Sequence, residues 1–279
     1  MSQVFDPRPC TLGEGPLWHP ERGQLFWFDI IEKRLMSRIG AEELVWQFDE
    51  HVSAAGWVDR DQLLIASETQ LFVFNLTTGA QTPVCELEPG NPVTRSNDGR
   101  ADPFGGFWIG TMGKRLEPRA GAIYRYYKGE LRQLYDGITV TNSICFSLDR
   151  RWAYFCDTWN KQIMRVALDA TGWPDGAPEV FVDLKADGLN PDGSVVDAEG
   201  QLWNAQWGAH RVACYGADGQ FLKAVPVGGA QASCPAFGGD DLTTLFVTTA
   251  VEGLTGPAEG LVYMVDPGAT GQREHQVIL

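Results

Sequence analysis

The stretch QLFWFDI at 24–30 sits behind the turn HPERG at 19–23, and this unit of turn plus aromatic strand returns along the chain. It reappears as DRD then QLLIAS (62–67), DPFGG then FWIGTM (107–112), and SLDRR then WAYFCDT (152–158). DAEG then QLWNAQW (201–207) and GGDD then TLFVTTA (244–250) complete the series. Runs rich in β-branched and aromatic residues between Gly, Asp and Pro turns read as strands, and helical periodicity is nearly absent. Each unit is therefore a strand, a tight turn and a second strand.

A third apolar strand follows each hairpin: RLMSRI (34–39), LFVFNL (71–76), AIYRYY (122–127), IMRVAL (163–168), HRVACY (210–215) and LVYMVD (261–266). A weaker fourth comes next in several units, as in LVWQF (44–48), LRQLY (131–135), EVFVD (179–183) and FLKAV (221–225). Four strands per unit of roughly 45 residues is the pattern of propeller blades, because other repeats of that length are helical. The expected fold is all-β, a six-bladed β-propeller with four antiparallel strands per blade, forming a single domain over 1–279. A β-sandwich is the competing architecture, but it does not need a six-fold register.

Composition narrows the function. Hydrophobic residues make up 44% and charged residues 21%, which supplies a core and removes any case for disorder. A net charge of −14 argues against nucleic acid and against an anionic membrane surface, both of which need clustered Lys and Arg. The N-terminus MSQVFDPRPC lacks the basic start and apolar run of a secretory signal, and no stretch approaches the roughly 20 apolar residues of a spanning helix. A cytoplasmic protein with no obligatory protein partner is expected. The six cysteines, Cys10, Cys85, Cys145, Cys156, Cys214 and Cys234, form no CxxC pair and are expected to be mostly reduced and buried.

The repeat also exposes equivalent positions. On the strand before each turn stand Glu14, Ala54, Asn97, Asn142, Asp192 and Cys234. The first strand of each propeller unit is innermost, so these residues should ring the channel. Four of them carry oxygen donors where Val or Ile would pack more cheaply. Buried carboxylates are costly unless paired or bound to a metal, and no basic residue occupies the ring to neutralise Glu14 and Asp192. A divalent cation would do so. Oxygen donors without Cys or His suit Ca2+, Mg2+ or Mn2+ and are less preferred by zinc. The competing reading is that these residues cap strands by bonding to turn backbones.

Arg95 lies two residues before Asn97, on the same strand face, where its planar fork suits an oxygen-rich ligand. Glu117 lies in KRLEPRAG (114–121), an insertion between the second and third strands of its unit that can fold over the channel mouth. Asp29 and Asp157 stand at second-strand ends and either shape the rim or cap turns.

LGEGPLW (12–18), RSNDGRADPFGGFWIGTM (95–112), TNSICFSLD (141–149), NPDGSVVDAEGQLW (190–203) and SCPAFGG (233–239) resemble, in order and spacing, the gluconolactonase, regucalcin and senescence-marker-protein family. The resemblance covers essentially the whole chain. It implies a six-bladed propeller that hydrolyses an aldonolactone with one divalent metal, Ca2+, Mn2+, Mg2+, Zn2+ or Fe2+. It places the metal ligands on Glu14, Asn142 and Asp192, and substrate contacts on Arg95, Asn97 and the lid residue Glu117. Ser143 departs from the pattern, because the family usually has Gly after the Asn. Trp159 and Trp207 are candidates for an apolar wall against the sugar ring.

A lactone is a cyclic ester, and a metal can polarise its carbonyl and acidify water. Asp192 is the expected catalytic base, because a carboxylate can accept the water proton and Asn142 cannot. A serine esterase is disfavoured: there is no GxSxG, and His19, His51, His210 and His275 accompany no evident nucleophile. A metal-dependent aryl-ester or phosphotriester hydrolase and a non-enzymatic calcium-binding propeller share the architecture and stay as alternatives.

Overall fold

The computed structural model describes residues 2–279. Among these described residues, regular structure is all strand apart from one 3-10 turn, Thr158–Asn160, and no helix is long and apolar enough to cross a membrane.

After β1 (Gln3–Asp6), the first sheet runs β2 (Gly13–His19), β3 (Gln24–Asp29), β4 (Arg34–Ile39), β5 (Glu42–Gln47). The second is β6 (Val52–Asp59), β7 (Gln62–Ser67), β8 (Gln70–Asn75), β9 (Gln81–Glu86). The third is β10 (Thr94–Ala101), β11 (Phe107–Gly113), β12 (Gly121–Tyr127), β13 (Glu130–Ile138), and the fourth β14 (Thr141–Phe146), β15 (Trp152–Asp157), β16 (Gln162–Ala167), β17 (Glu179–Asp183). Pairing within all four is antiparallel between chain neighbours, as tight hairpins require.

The remaining strands form an eight-stranded sheet. One part is β18 (Asn190–Val196), β19 (Leu202–Trp207), β20 (Arg211–Tyr215) and β21 (Phe221–Pro226). The other is β22 (Gln231–Gly238), β23 (Thr244–Ala250), β24 (Val262–Val265) and β1. A single residue pair, Trp207 with Gln231, joins the two parts. The arrangement is propeller-like: each first strand packs beside the next, and β22 returns to β2.

Apolar cores lie between successive strand groups. Phe26 and Phe28 pack with Leu63, Ile65 and Phe74. Leu64 packs with Phe107 and Ile109, Trp108 with Phe146 and Phe155, and Tyr154 with Leu202 and Tyr215. Trp203 then meets Phe237 and Val247, and Phe246 closes the circuit on Leu25 and Trp27. This explains why β3 is buried at every position instead of alternating: it is covered on both faces.

Two chain ends secure the circuit. β1 pairs with β24, so the first strand completes the sheet that holds the last. The C-terminal segment bonds to Trp57 and Gly105 through the backbone N–H groups of Val277 and Ile278, and Glu274 pairs with Arg100. It lies against the hairpin-turn ends of several sheets, where Gln272 also donates to the Val196 and Asp197 carbonyls and Gly271 to the Leu242 carbonyl. Those turns are closed by carboxylates, as in Asp102 accepting from Phe104 and Gly106, and Asp197 from Glu199 and Gln201.

Candidate active site

All six first strands lose regular pairing where the ring residues stand. The register shifts between Glu14 and Leu17, Val52 and Ala54, Ser96 and Gly99, Asn142 and Cys145, Pro191 and Ser194, and Ala232 and Cys234. A bulge of this kind bends the strand and re-aims a side chain. Gly15, after Glu14, has a φ of 53°, and a Cβ there would lie 2.3 Å from the Ser53 carbonyl oxygen, so only glycine fits.

Glu14, Arg95, Asn97, Asn142 and Asp192 all line one cavity of about 800 Å³ and are all buried. A depression of about 870 Å³ between Gln3, Thr244, Met264 and Asp266 lies at the outer edge of the last sheet and holds none of these buried groups.

Within the cavity the amides are oriented from both ends. Arg95 donates from Nη1 to Asn97 Oδ1 at 2.7 Å and to the Ser96 carbonyl at 2.9 Å. Asn97 Nδ2 donates to the Thr141 carbonyl at 2.9 Å and to Asn142 Oδ1 at 3.1 Å. Asn142 Nδ2 donates to Thr158 Oγ1 at 2.9 Å, and Thr158 donates onward to the Pro191 carbonyl at 2.7 Å.

The carboxylates are far less well served. Glu14 accepts from the N–H of Gly15, and burial, reinforced by Asp98, pushes its pKa up to about 8. Asp192 is also raised well above its ordinary value, first by burial and then by Glu14 and Asp98. Asp98 itself, bonded by the Ile144 N–H, is raised to about 6 by burial. Arg95 is only a partial counter-charge: burial lowers its pKa to about 10, and its Nη1 is committed to Asn97 and Ser96. Two buried, under-compensated carboxylates beside an oriented amide oxygen are a donor set that fits a hard divalent cation.

Residues 12–251 match the family described as SMP-30/Gluconolactonase/LRE-like region. The chain belongs to this family. It is 41% identical over 248 residues to a putative sugar lactone lactonase of Rhizobium meliloti (strain 1021), covering 87% of this chain and 83% of that relative. It is 38% identical to the L-arabinolactonase of Azospirillum brasilense, covering 89% and 84%. Among solved structures, a calcium-binding protein, regucalcin, from Agrobacterium tumefaciens str. C58 superposes with a TM-score of 0.97 at 40% identity, covering 100% of this chain and 98% of that one.

Of the residues that resemblance to the SMP-30/gluconolactonase family singles out, Glu14, Arg95, Asn97, Asn142 and Asp192 converge on the cavity and Glu117 does not line it. Glu117 lies in the loop between β11 and β12, where its carboxylate accepts from the Arg115 N–H, while Lys114 and Leu116 face the cavity. Trp159 and Trp207 do line it, Trp159 with 68% of its surface exposed at the mouth. Asp29 and Asp157 are strand-end caps: Asp29 accepts from Thr11 and Leu12, and Asp157 from Thr139, Val140 and Trp159. All six cysteines are free, with Cys85 half-buried and the rest buried.

Sequence reasoning passed over Asp98 and Thr158. Asp98 had a weak signal: it directly follows the ring residue Asn97, but it stands in a strand, TRSNDGRA, that is polar at most positions and so does not single it out. Thr158 had none: its role depends on a cross-sheet bond to Pro191.

Proposed function

We propose that this protein is a six-bladed, single-domain propeller that hydrolyses a sugar lactone to its sugar acid with one divalent cation. The observation that carries this reading is the burial of Glu14 and Asp192 beside Asn142 without adequate counter-charge, in a family whose members include proteins named as lactonases. Six mutually adjacent first strands and six intervening apolar cores support the blade count, the eight-stranded sheet being read as two blades bridged by one residue pair. The six free cysteines support a cytoplasmic setting, and the net charge of −14 supports a small-molecule partner over nucleic acid.

Glu14, Asn142 and Asp192 would hold the cation. When bound, it supplies Lewis acidity, polarising the ester carbonyl and making water more acidic. The calcium-binding description of the Agrobacterium structure puts Ca2+ among the ions to try, with Mn2+, Mg2+, Zn2+ and Fe2+. Arg95 keeps Nε and Nη2 for lactone oxygens once Nη1 is committed, and Asn97 fixes the orientation of both Arg95 and Asn142. Asp192 accepts a proton from the attacking water at a carboxylate oxygen and returns it to the departing ring oxygen. Glu117 acts on substrate choice through its loop, whose turn it caps so that Lys114 and Leu116 form part of the wall.

Acid release from a panel of glucono-, galactono-, xylono- and arabinonolactone, followed with a pH indicator, tests the reading. Hydrolysis should require added metal and vanish in Asp192→Ala with the fold retained. Near-normal turnover in that variant removes Asp192 as the base, and higher activity on paraoxon than on any lactone favours a phosphotriesterase.

A further inference from the structure

We infer that Ser143 is a positioning residue: its hydroxyl ties the backbone of Asp192 to that of Asn142 and so sets the affinity of the cavity for a divalent cation. The inference rests on Asn142 and Asp192 being ligands.

Ser143 follows Asn142 in the bulge of β14 and has a φ of 60°, a left-handed conformation uncommon for a residue with a Cβ. Glycine takes this conformation without strain, as Gly15 does after Glu14 at a φ of 53°. What serine adds is therefore the hydroxyl. That hydroxyl is completely buried and donates to the Asp192 carbonyl oxygen at 2.6 Å. It accepts from Ser194 Oγ at 3.0 Å and lies 3.2 Å from Asn204 Nδ2, which also donates to the Asp192 carbonyl at 2.9 Å. Ser194 and Asn204 are themselves fully buried, so water does not compete for these bonds.

The next residue ties the other side. The Ile144 N–H donates to Asp98 Oδ2 at 2.7 Å, and Asp98 adjoins Asn97 on β10. Residues 142–144 thus hold three first strands together, β10 through Asp98 and β18 through Asp192. Asn142 and Asp192 have short side chains, so their oxygens inherit the separation of their backbones. A divalent cation accepts oxygens only within a narrow span of about 2.0–2.6 Å, and residues that orient ligands typically change metal affinity tenfold or more when removed.

The test is titration of Mn2+ into the metal-free protein, read by calorimetry and by the electron paramagnetic signal of the free ion. Ser143→Gly, which removes the hydroxyl and relieves the backbone, should raise the Mn2+ Kd about tenfold, together with a modest fall in the metal-free Tm from the lost buried hydrogen bonds. Ser143→Ala, which keeps the strained backbone, should show the same rise in Kd. A wild-type Kd in Ser143→Gly overturns the inference, as does a lowered Tm with no change in Kd. Asp192→Ala separates the two levels. If it binds Mn2+ as tightly as wild type, the ligand reading fails; if it loses binding while Ser143→Gly does not, only the positioning role fails.

Discussion

Asn97 Nδ2 donates to Asn142 Oδ1 at 3.1 Å, across the boundary between two sheets. Asn142 is also held at its other end by Thr158, so its amide cannot flip, and Oδ1 keeps a second lone pair. The residue assigned to substrate therefore also orients a residue assigned to the cation. Asn97→Ala should weaken Mn2+ binding about tenfold as well as lowering kcat/KM, because it frees one end of that amide. Calorimetric titration checks this, and an unaltered Mn2+ affinity would show the contact to be incidental.

Asp192 carries a stability cost in the metal-free protein. Its folded-state pKa is raised above the ordinary 3.8 by burial and by Glu14 and Asp98. A raised carboxyl contributes stability that is fully present below the unfolded value and is lost as pH rises through the folded one. Metal-free Asp192→Asn should accordingly melt at or above the wild-type Tm at pH 8, with the difference closing toward pH 4, while losing hydrolysis. Thermal melts across that range decide the matter; a variant less stable than metal-free wild type at pH 8 contradicts it.

The fold was legible because each unit repeats a turn and an aromatic strand, as in HPERG–QLFWFDI, and equivalent places can be compared without knowing the pairing. Glu14, Asn142 and Asp192 stood out by the same comparison. The bulges were not legible: a register shift such as that between Asn142 and Cys145 is a property of two strands together. Nor was the direction of Glu117, which is decided by a bond to Arg115 within its own loop. For Asp29 and Asp157 the choice between rim residue and cap was open for a related reason, since backbone N–H groups from loops distant in sequence determine that they are caps.

Arg125 and Asp102 form an ion pair at 2.6 Å with both side chains fully buried. The guanidinium also lies 4.4 Å from the ring centres of Tyr127 and Trp173. Breaking such a pair leaves a charge uncompensated, so Arg125→Met should cost about 3–5 kcal/mol in urea unfolding. The pair belongs to the hairpin-turn end, away from the cavity, and Mn2+ affinity should not change. A loss below about 1 kcal/mol would mean that water reaches Asp102 in the variant.

The N-terminal segment couples the last sheet to the first. Phe5 packs edge-on against Trp27 and Phe246, and Arg8 donates to the Ser37 carbonyl while pairing with the buried Asp6. Phe5→Ala removes the aromatic contact from both sheets. Because Phe5 is only half-buried, a loss of about 2 kcal/mol is expected, below the usual core value, with Tm falling by roughly 4–8 °C. Calorimetry reads the change, and an unaltered Tm would show that β1 pairing alone secures the closure.

His19 tests the opposite pH slope. Its ring is buried beside Phe26 and Trp57, with Nε2 3.0 Å from the Asp59 carbonyl and Nδ1 accepting from the Glu21 N–H. A carbonyl only accepts, so Nε2 carries the proton and the ring is neutral. Burial lowers its pKa below the ordinary 6.5. Below pH 6.5 the unfolded chain takes up a proton that the folded chain refuses, so this residue's contribution falls with pH until the folded pKa is passed. Glu14 and Asp192 contribute with the reverse sign, and the difference between wild type and His19→Gln cancels them. Unfolding free energies of the two proteins should converge as pH drops from 7 toward 5, and parallel curves would mean that His19 is protonated in place.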